Sequence, residues 1–314
     1  MRERLIDSTE VESFLAQPKF VIGYFPQVDG TEGEFMSGDT SDYKLEPAVI
    51  TNFSAKRIHD PEYRIELRRL LGEQQIVVIR DCVEFSSPQF LGLAEVFGTP
   101  SPTLPIDTAH VAHDTIQIIE RVESDGNGDT RKPSSSYWHS DRSFLADPPT
   151  ATLLCSRFVA KEGGATEFVS TRSAYNALDR KELEYALKVQ VRHSYSFYHR
   201  NLQRDSYSAS DRAAAVSRFP DSWHPLIRED PFSGKCGLYL SQLCADSARL
   251  DGDFDASESV LRYVRSQTEV VTGGHNAYAH HWKSGDVVIW SNSTLMHRAS
   301  RSTGYRKLER VVVS

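Results

Sequence analysis

The sequence predicts an α+β, mainly β domain: a β-sandwich or barrel with helices packed against its outside. Three observations predict it. Short β-prone runs such as "TATLLCSRFV", "GDVVIWS" and "RKLERVVVS" recur between clusters of Gly, Pro, Asp and Ser. Helical periodicity gathers near the front of the chain. Strands and helices do not alternate as in a parallel nucleotide-binding sheet, and neither a GxGxxG nor a P-loop sequence occurs.

Taken in order, the chain opens on "MRERLIDSTEVESFL", which is charged throughout and has no signal-peptide core. Residues 24–53, rich in Gly, Asp, Ser and Thr, read as an irregular surface excursion. "PEYRIELRRLLGEQQIVVIRD" predicts an amphipathic helix stopped at Gly72, then a buried strand over Ile76–Ile79. Its basic residues fall at helical spacing and read as one solvated face. "SSPQFLGLAEVFGTP" predicts a second helix, capped by Ser86 or Ser87 with Pro88 in its first turn. Residues 123–136, "ESDGNGDTRKPSSS", read as a mobile loop leading into His139. Beyond Asp141 come a strand over "TATLLCSRFV", a turn and strand over "GGATEFVST", and one helix over "SAYNALDRKELEYAL". Strands follow in "CGLYLSQ", "YAHHWKSGDVVIWSNSTLMHRAS" and "RKLERVVVS". No internal repeat divides the chain, so residues 1–314 read as a single domain, with 1–60 as an N-terminal extension.

Composition narrows the function classes. Apolar residues make up 39% and charged residues 25% of 314, which suits a globular protein with a substantial core. A net charge of −7 speaks against a nucleic-acid partner, because a phosphate-binding face needs clustered Lys and Arg. No run approaches the ~20 apolar residues of a membrane span, so no membrane partner is expected. The four cysteines, Cys82, Cys155, Cys236 and Cys244, form no CxxC pair and read as buried free thiols in a reducing cytoplasm.

The chemistry-bearing residues begin with "SSYWHSDRSF", which sets His139 and Asp141 two apart. On a strand both would point the same way, and a following turn can also bring them together. An iron(II) oxygenase site needs two imidazoles and one carboxylate on one face, with three positions left open. His297, ending the strand-like "IWSNSTLMHRAS", is the best third ligand among eleven histidines. Alone, His-x-Asp reads more often as a hydrogen-bonded surface pair and His297 as a strand-end residue. In "EGGATEF", Thr166 follows a Gly-Gly turn and can offer a hydroxyl to a carboxylate. Arg306 and Arg310 in "GYRKLERVVVS" share one face of a strand. Turned inward, their planar forks suit a dicarboxylate such as 2-oxoglutarate; turned outward, they are solvated.

"WHSD", "GGATEF", "HPLIREDPFSGKCGLYLS", "WKSGDVVIWSNSTLMHRA" and "YRKLER" occur in an order and at spacings that resemble the taurine dioxygenase/TfdA-like family of Fe(II)- and 2-oxoglutarate-dependent dioxygenases. The resemblance runs from about Ile65 to the C-terminus, and "QQIVVIRD" and "EVFGTP" fit the family's opening strand and helix. It implies a double-stranded β-helix, a cupin-like jelly roll with flanking helices. It implies His139, Asp141 and His297 as metal ligands and catalytic residues, with Fe(II), 2-oxoglutarate as cosubstrate, and O2. Thr166 and Arg306 match the residues that hold the distal carboxylate of 2-oxoglutarate. Arg310 matches a second active-site arginine, placed at cosubstrate and substrate, and Trp290 and Asn292 match pocket-shaping positions. Ser291 departs from the family, which usually has Asp there, and so puts support around the metal in question. Asp141 is retained, unlike in related halogenases.

The reaction implied is hydroxylation or desaturation of a small, acidic organic molecule, with release of succinate and CO2. Arg310 favours an acidic group, with Arg298 and Arg157 as further basic candidates, and Tyr137 is a candidate for the pocket wall. Two alternatives stand beside this: a natural-product tailoring enzyme acting on an amino-acid-derived substrate such as an isonitrile, and a non-catalytic metal-binding jelly roll. The partner expected is a small molecule, with homo-oligomerisation left open.

Overall fold

The computed structural model describes residues 45–105, 107–123, 134–202, 213, 217–274 and 276–314. The charged N-terminal segment to residue 44 and positions 124–133 of the loop ahead of His139 lie outside them.

The main sheet has the strand order β1 (Ala48–Ile50), β2 (Ile76–Ile79), β14 (Val287–Ser291), β5 (Ala151–Phe158), β16 (Ser302–Val313), β4 (His113–Glu123) and β3 (Ala109–His110), and β6 (Glu162–Gly163) also pairs with β16. A second sheet, β13 (Tyr278–His280), β7 (Thr166–Ser170) and β15 (Leu295–Ala299), packs across an inner core. That core is built of Ile76, Val78, Leu154, Phe168, Val288, Trp290, Leu295 and Leu308. Two antiparallel-dominated sheets closed around one core make the predicted jelly roll. Strands β12 (Ala245–Leu250), β8 (Val189–His193) and β9 (Ser222–Pro225) form a small separate sheet, and β10 (Ile227–Glu229) pairs with β11 (Cys236–Leu238).

The continuous apolar runs have a simple cause. In β2, Ile76 and Val78 face the inner core while Val77 and Ile79 face an outer one. The outer core is covered by α1 (Pro61–Gln74) and α2 (Ser87–Ala94), through Leu67, Leu71, Phe90 and Leu93. A strand buried on both faces needs no polar alternation. The same parity governs β14, where Val287 and Ile289 point out and Val288 and Trp290 point in. It governs β16 too: Leu308 points in, Val311 and Val313 point out, and Arg306 and Arg310 share the side of Leu308.

Ser86 caps α2 through a capping box with Gln89, as the sequence predicts. Three expectations are corrected. The first helix does not stop at Gly72 but runs to Gln74, with Gln75 in the left-handed conformation. Gly72 serves close packing instead, since a Cβ there would sit 2.5 Å from the Phe232 carbonyl oxygen. The helix read over "SAYNALDRKELEYAL" is two, α3 (Arg172–Asn176) and α4 (Arg180–Ala186), because Asp179 accepts from Glu182 N and starts a new one. Residues 48–50, inside the stretch read as irregular, form β1, which pairs in parallel with β2.

A sixteen-residue helix, Glu258–Gly273, was absent from the sequence expectations. It is rich in β-branched residues, which lower helix propensity, and tertiary burial overrides that preference. Val260, Leu261, Val264 and Val271 pack with Val169 and Met296 on the outer side of the second sheet. All four cysteines are free, three buried and Cys236 half-buried. Among the described residues no helix is long and apolar enough to cross a membrane.

Candidate active site

His139, Asp141 and His297 converge, with ligand atoms all within 4.8 Å of one another. The cause is a two-residue β-bridge: His139 N donates to His297 O at 3.0 Å, and His297 N donates back to His139 O at 2.9 Å. That ties the metal motif to β15 at the open edge of the second sheet, and Ser140 Oγ adds a bond to Leu295 O at 3.0 Å. The chain then turns at Arg142, whose φ of 49° is left-handed, and Asp141 meets both rings. Its carboxylate oxygens lie 4.0 Å from His139 Nε2 and 3.8 Å from His297 Nε2.

Hydrogen bonds orient His139 and Asp141, while the buried Nδ1 of His297 has no hydrogen-bond partner among the described residues. His139 Nδ1 sits 2.6 Å from Tyr137 O, and a carbonyl only accepts, so Nδ1 carries the proton and Nε2 keeps its lone pair for the centre. Asp141 Oδ1 accepts from Arg310 Nη1 at 2.7 Å and Oδ2 from Thr152 Oγ1 at 2.8 Å. Thr152 in turn accepts from Asn292 Nδ2 at 2.8 Å, and Asn292 Oδ1 accepts from Trp290 Nε1 at 3.1 Å. The Trp290 ring lies 4.8 Å from that of His297. Trp290, Asn292, Thr152 and Asp141 thus form one chain of bonds from the inner core to the centre.

The electrostatics follow from this burial. Desolvation pushes the His297 imidazole down to about 3, helped by His139, and pushes His139 down as well. Burial alone would raise the Asp141 carboxyl, yet Arg310, the two imidazoles and the Thr152 bond together hold it well below the usual carboxylate range. Two neutral imidazoles beside one ionised carboxylate are the protonation states that bind a divalent cation. The donor set therefore fits a metal, and its N2O composition suits iron(II).

A second cluster lies where β7 meets β13. Thr166 is buried, and its Oγ1 accepts from Trp282 Nε1 at 3.0 Å. Arg306, also buried, donates from Nη1 to Gly164 O at 2.9 Å. Gly163 and Gly164 have φ of 69° and 73°, and a Cβ on Gly163 would lie 2.3 Å from Arg301 O, so the Gly-Gly pair is required where the chain turns beneath Arg306.

The other residues singled out in the sequence are distributed unevenly. Arg310 lies at the centre, and it has partners the sequence did not reveal: Asp141, and Asp107 at 4.0 Å. Tyr137 is half-buried against the Phe144–Tyr195 cluster and contributes its carbonyl to His139. Arg298 is held by Glu167 at 2.6 Å and stacks over Trp138. Arg157 is turned to the other face of the sheet, where it pairs with Glu309 at 2.7 Å and with Phe85 O. Ser291 also points outward, donating to Asp230 Oδ1 at 2.9 Å, so its departure from the family leaves the bonds around Asp141 untouched. The sequence assigns no role to Thr152 or Trp282, although Trp282 opens the motif "WKSGDVVIWSNSTLMHRA". The only signal for Thr152 is parity, a hydroxyl at an inward position of β5.

A family profile described as "Taurine catabolism dioxygenase TauD, TfdA family" matches residues 41–312. The chain belongs to this family. This TauD/TfdA member is 28% identical over 253 residues to the alpha-ketoglutarate-dependent 2,4-dichlorophenoxyacetate dioxygenase of Cupriavidus pinatubonensis, covering 75% of the chain and 82% of the relative. It is 26% identical over 240 residues to the alpha-ketoglutarate-dependent sulfate ester dioxygenase of Pseudomonas putida, covering 74% of each. The crystal structure of AAD-2 in complex with Mn(II) and N-oxalylglycine superposes with a TM-score of 0.67 at 24% identity, covering 86% of this chain and 94% of that one. A taurine dioxygenase from Burkholderia xenovorans gives 0.65 at 19% identity, over 86% and 87%. These likenesses show the double-stranded β-helix. The TauD/TfdA member is accordingly an enzyme, a 2-oxoglutarate-dependent dioxygenase acting on a small molecule, and the non-catalytic reading falls away.

Proposed function

We propose that the chain binds Fe(II) through His139, Asp141 and His297 and uses 2-oxoglutarate and O2 to oxidise a small organic acid. The observation that carries this is the buried centre itself: two imidazoles and a carboxylate within 4.8 Å, with His139 and Asp141 aligned by hydrogen bonds and the His297 ring packed against Trp290. Iron and 2-oxoglutarate, when bound, supply the oxidising chemistry, in which O2 converts the keto acid to succinate and CO2 while substrate is hydroxylated or desaturated.

The chain's own residues position and shield. His139 and His297 present neutral nitrogens, and Arg310 and Thr152 hold the two oxygens of Asp141, which limits how the carboxylate can rotate. Thr166 and Arg306 hold the distal carboxylate of 2-oxoglutarate: a buried hydroxyl and a buried guanidinium are strong partners for it. Trp290 and Phe168, whose rings lie 4.8 and 6.1 Å from that of His297, keep the surroundings apolar and dry. Arg310, beside Asp141 at the centre, is the candidate for the substrate's acidic group, and Tyr137, in the segment ahead of His139, is a candidate for the pocket wall. Relatives named for 2,4-dichlorophenoxyacetate, sulfate esters and (S)-phenoxypropionate support an acid-bearing substrate over an amino-acid-derived isonitrile. Four free cysteines favour a reducing, cytoplasmic setting.

The test is succinate release with Fe(II), 2-oxoglutarate and O2 across aryloxy acids, sulfate esters, sulfonates and amino acids. We expect stimulation by an acid and loss of turnover in His139→Ala. Succinate production unchanged in that variant would remove the assignment.

A further inference from the structure

We infer that Trp282 is a positioning residue for 2-oxoglutarate: its indole N–H fills the acceptor side of the Thr166 hydroxyl and so turns the hydroxyl proton toward the distal carboxylate. The inference rests on the assignment of Thr166 and Arg306 to that carboxylate.

A threonine hydroxyl carries one hydrogen and two lone pairs, and it rotates to suit its surroundings. Next to a carboxylate this freedom is a liability, because half of the rotor's range presents lone pairs to an anion. An indole N–H can only donate. With Trp282 Nε1 3.0 Å from Thr166 Oγ1, the hydroxyl must accept there, and its proton is left to point elsewhere. Among the described residues no side chain or carbonyl accepts that proton, although Thr166 is 4% exposed. A buried hydroxyl whose acceptor role is fulfilled and whose donor role is open is a fixed donor waiting for an acceptor. Arg306, with its guanidinium on Gly164 O two residues from Thr166, supplies positive charge to the same turn.

The indole is itself held. Its ring meets the edge of His280 at 4.6 Å and 82°. His280 is fully buried, with Nε2 3.2 Å from Asp286 Oδ2 and Nδ1 3.1 Å from the Tyr278 hydroxyl. Asp286 is anchored by Arg80 Nη1 at 2.5 Å and Lys283 N at 2.8 Å. In the β13–β7 pairing His280 lies opposite Thr166. The segment "YAHHWKSGD" is therefore one bracket: its polar residues fix the bracket and its tryptophan reaches across to Thr166.

Were Trp282 only a packing residue at the rim of the inner core, its ring would matter and its N–H would not. The test uses the Mn(II)-loaded full chain and calorimetric titration with two ligands, 2-oxoglutarate and 2-oxovalerate. The second has the same keto-acid head but a methyl in place of the distal carboxylate. Trp282→Phe should weaken 2-oxoglutarate about 3- to 10-fold and leave 2-oxovalerate unchanged, which also shows that the variant is folded. Thr166→Val should do the same, and the double variant should be no weaker than Thr166→Val alone. An equal loss for both ligands, an unchanged affinity in Trp282→Phe, or additive losses in the double variant would overturn the inference. A wild-type chain that does not prefer 2-oxoglutarate over 2-oxovalerate would instead unseat the cosubstrate assignment beneath it.

Discussion

Arg310 Nη1 lies 2.7 Å from Asp141 Oδ1, so the carboxylate between the two histidines is paired before a cation reaches it. A buried carboxylate stripped of its guanidinium is costly, on the order of 3–5 kcal/mol. We expect Arg310→Ala to lower the melting temperature sharply without metal and to recover much of the loss when Mn(II) is added. A melting temperature insensitive to metal in that variant would place the cation elsewhere.

Thr152 bridges Asp141 and Asn292, each at 2.8 Å. Thr152→Val keeps the shape and removes both bonds, leaving a buried amide and carboxylate oxygen unsatisfied. Metal affinity should fall about 10- to 100-fold, and stability by about 1–3 kcal/mol. Titration with Co(II), followed by its visible absorption, reads the first quantity. Chemical unfolding reads the second.

His193 gives a pH dependence with a defined sign. It is fully buried, stacked on Tyr239 at 5.2 Å and 14°, and neither ring nitrogen has a partner among the described residues. Burial, then His224 and Arg228, pushes it down to about 3. The folded value is below the unfolded value of about 6.5, so the unfolded chain takes up a proton that the folded chain refuses. Above pH ~6.5 the residue contributes no slope. Below it, stability is lost at about 1.4 kcal/mol per pH unit until about pH 3. His193→Phe should flatten the dependence of melting temperature on pH below 6.5 by one proton's worth, and an identical slope would refute this.

Ser291 occupies the position where the family usually has aspartate, and its hydroxyl donates to Asp230, which is already paired with Arg172 at 2.5 Å. Ser291→Asp would set a second carboxylate against Asp230 in a fully buried place. We expect a loss of about 3 kcal/mol or more, partly recovered by adding Asp230→Asn. Urea unfolding of the single and double variants checks it. A neutral single variant would mean that this face tolerates a second charge.

Much of this architecture is legible in the residues, for reasons that differ by site. The ligand pair His139 and Asp141 is local, so two characters of sequence suffice to suggest it. Its tie to His297 rests on a bridge across more than 150 residues, which only the ordered motifs hinted at. Parity placed Arg306 and Arg310 on one face of β16, but it could not say that Arg310 would meet Asp141, because that depends on how β16 sits beside β5. The end of α1 was misread at Gly72, where glycine serves close approach to Phe232 and not a turn. The helix 258–273 was hidden by its β-branched residues, whose local preference yields to burial.

The two-sided burial of β14 has a consequence for variation. Val288, Trp290 and Asn292 look toward the inner core and the bonds behind Asp141, while Val287, Ile289 and Ser291 look toward the helices and Asp230. Neighbouring codons in one short strand therefore answer to different selections. A directed-evolution library confined to 288, 290 and 292 would vary the inner core and the bonds behind Asp141 while leaving the helix-facing surface intact, and one confined to 287, 289 and 291 would vary the helix-facing packing while leaving those bonds in place.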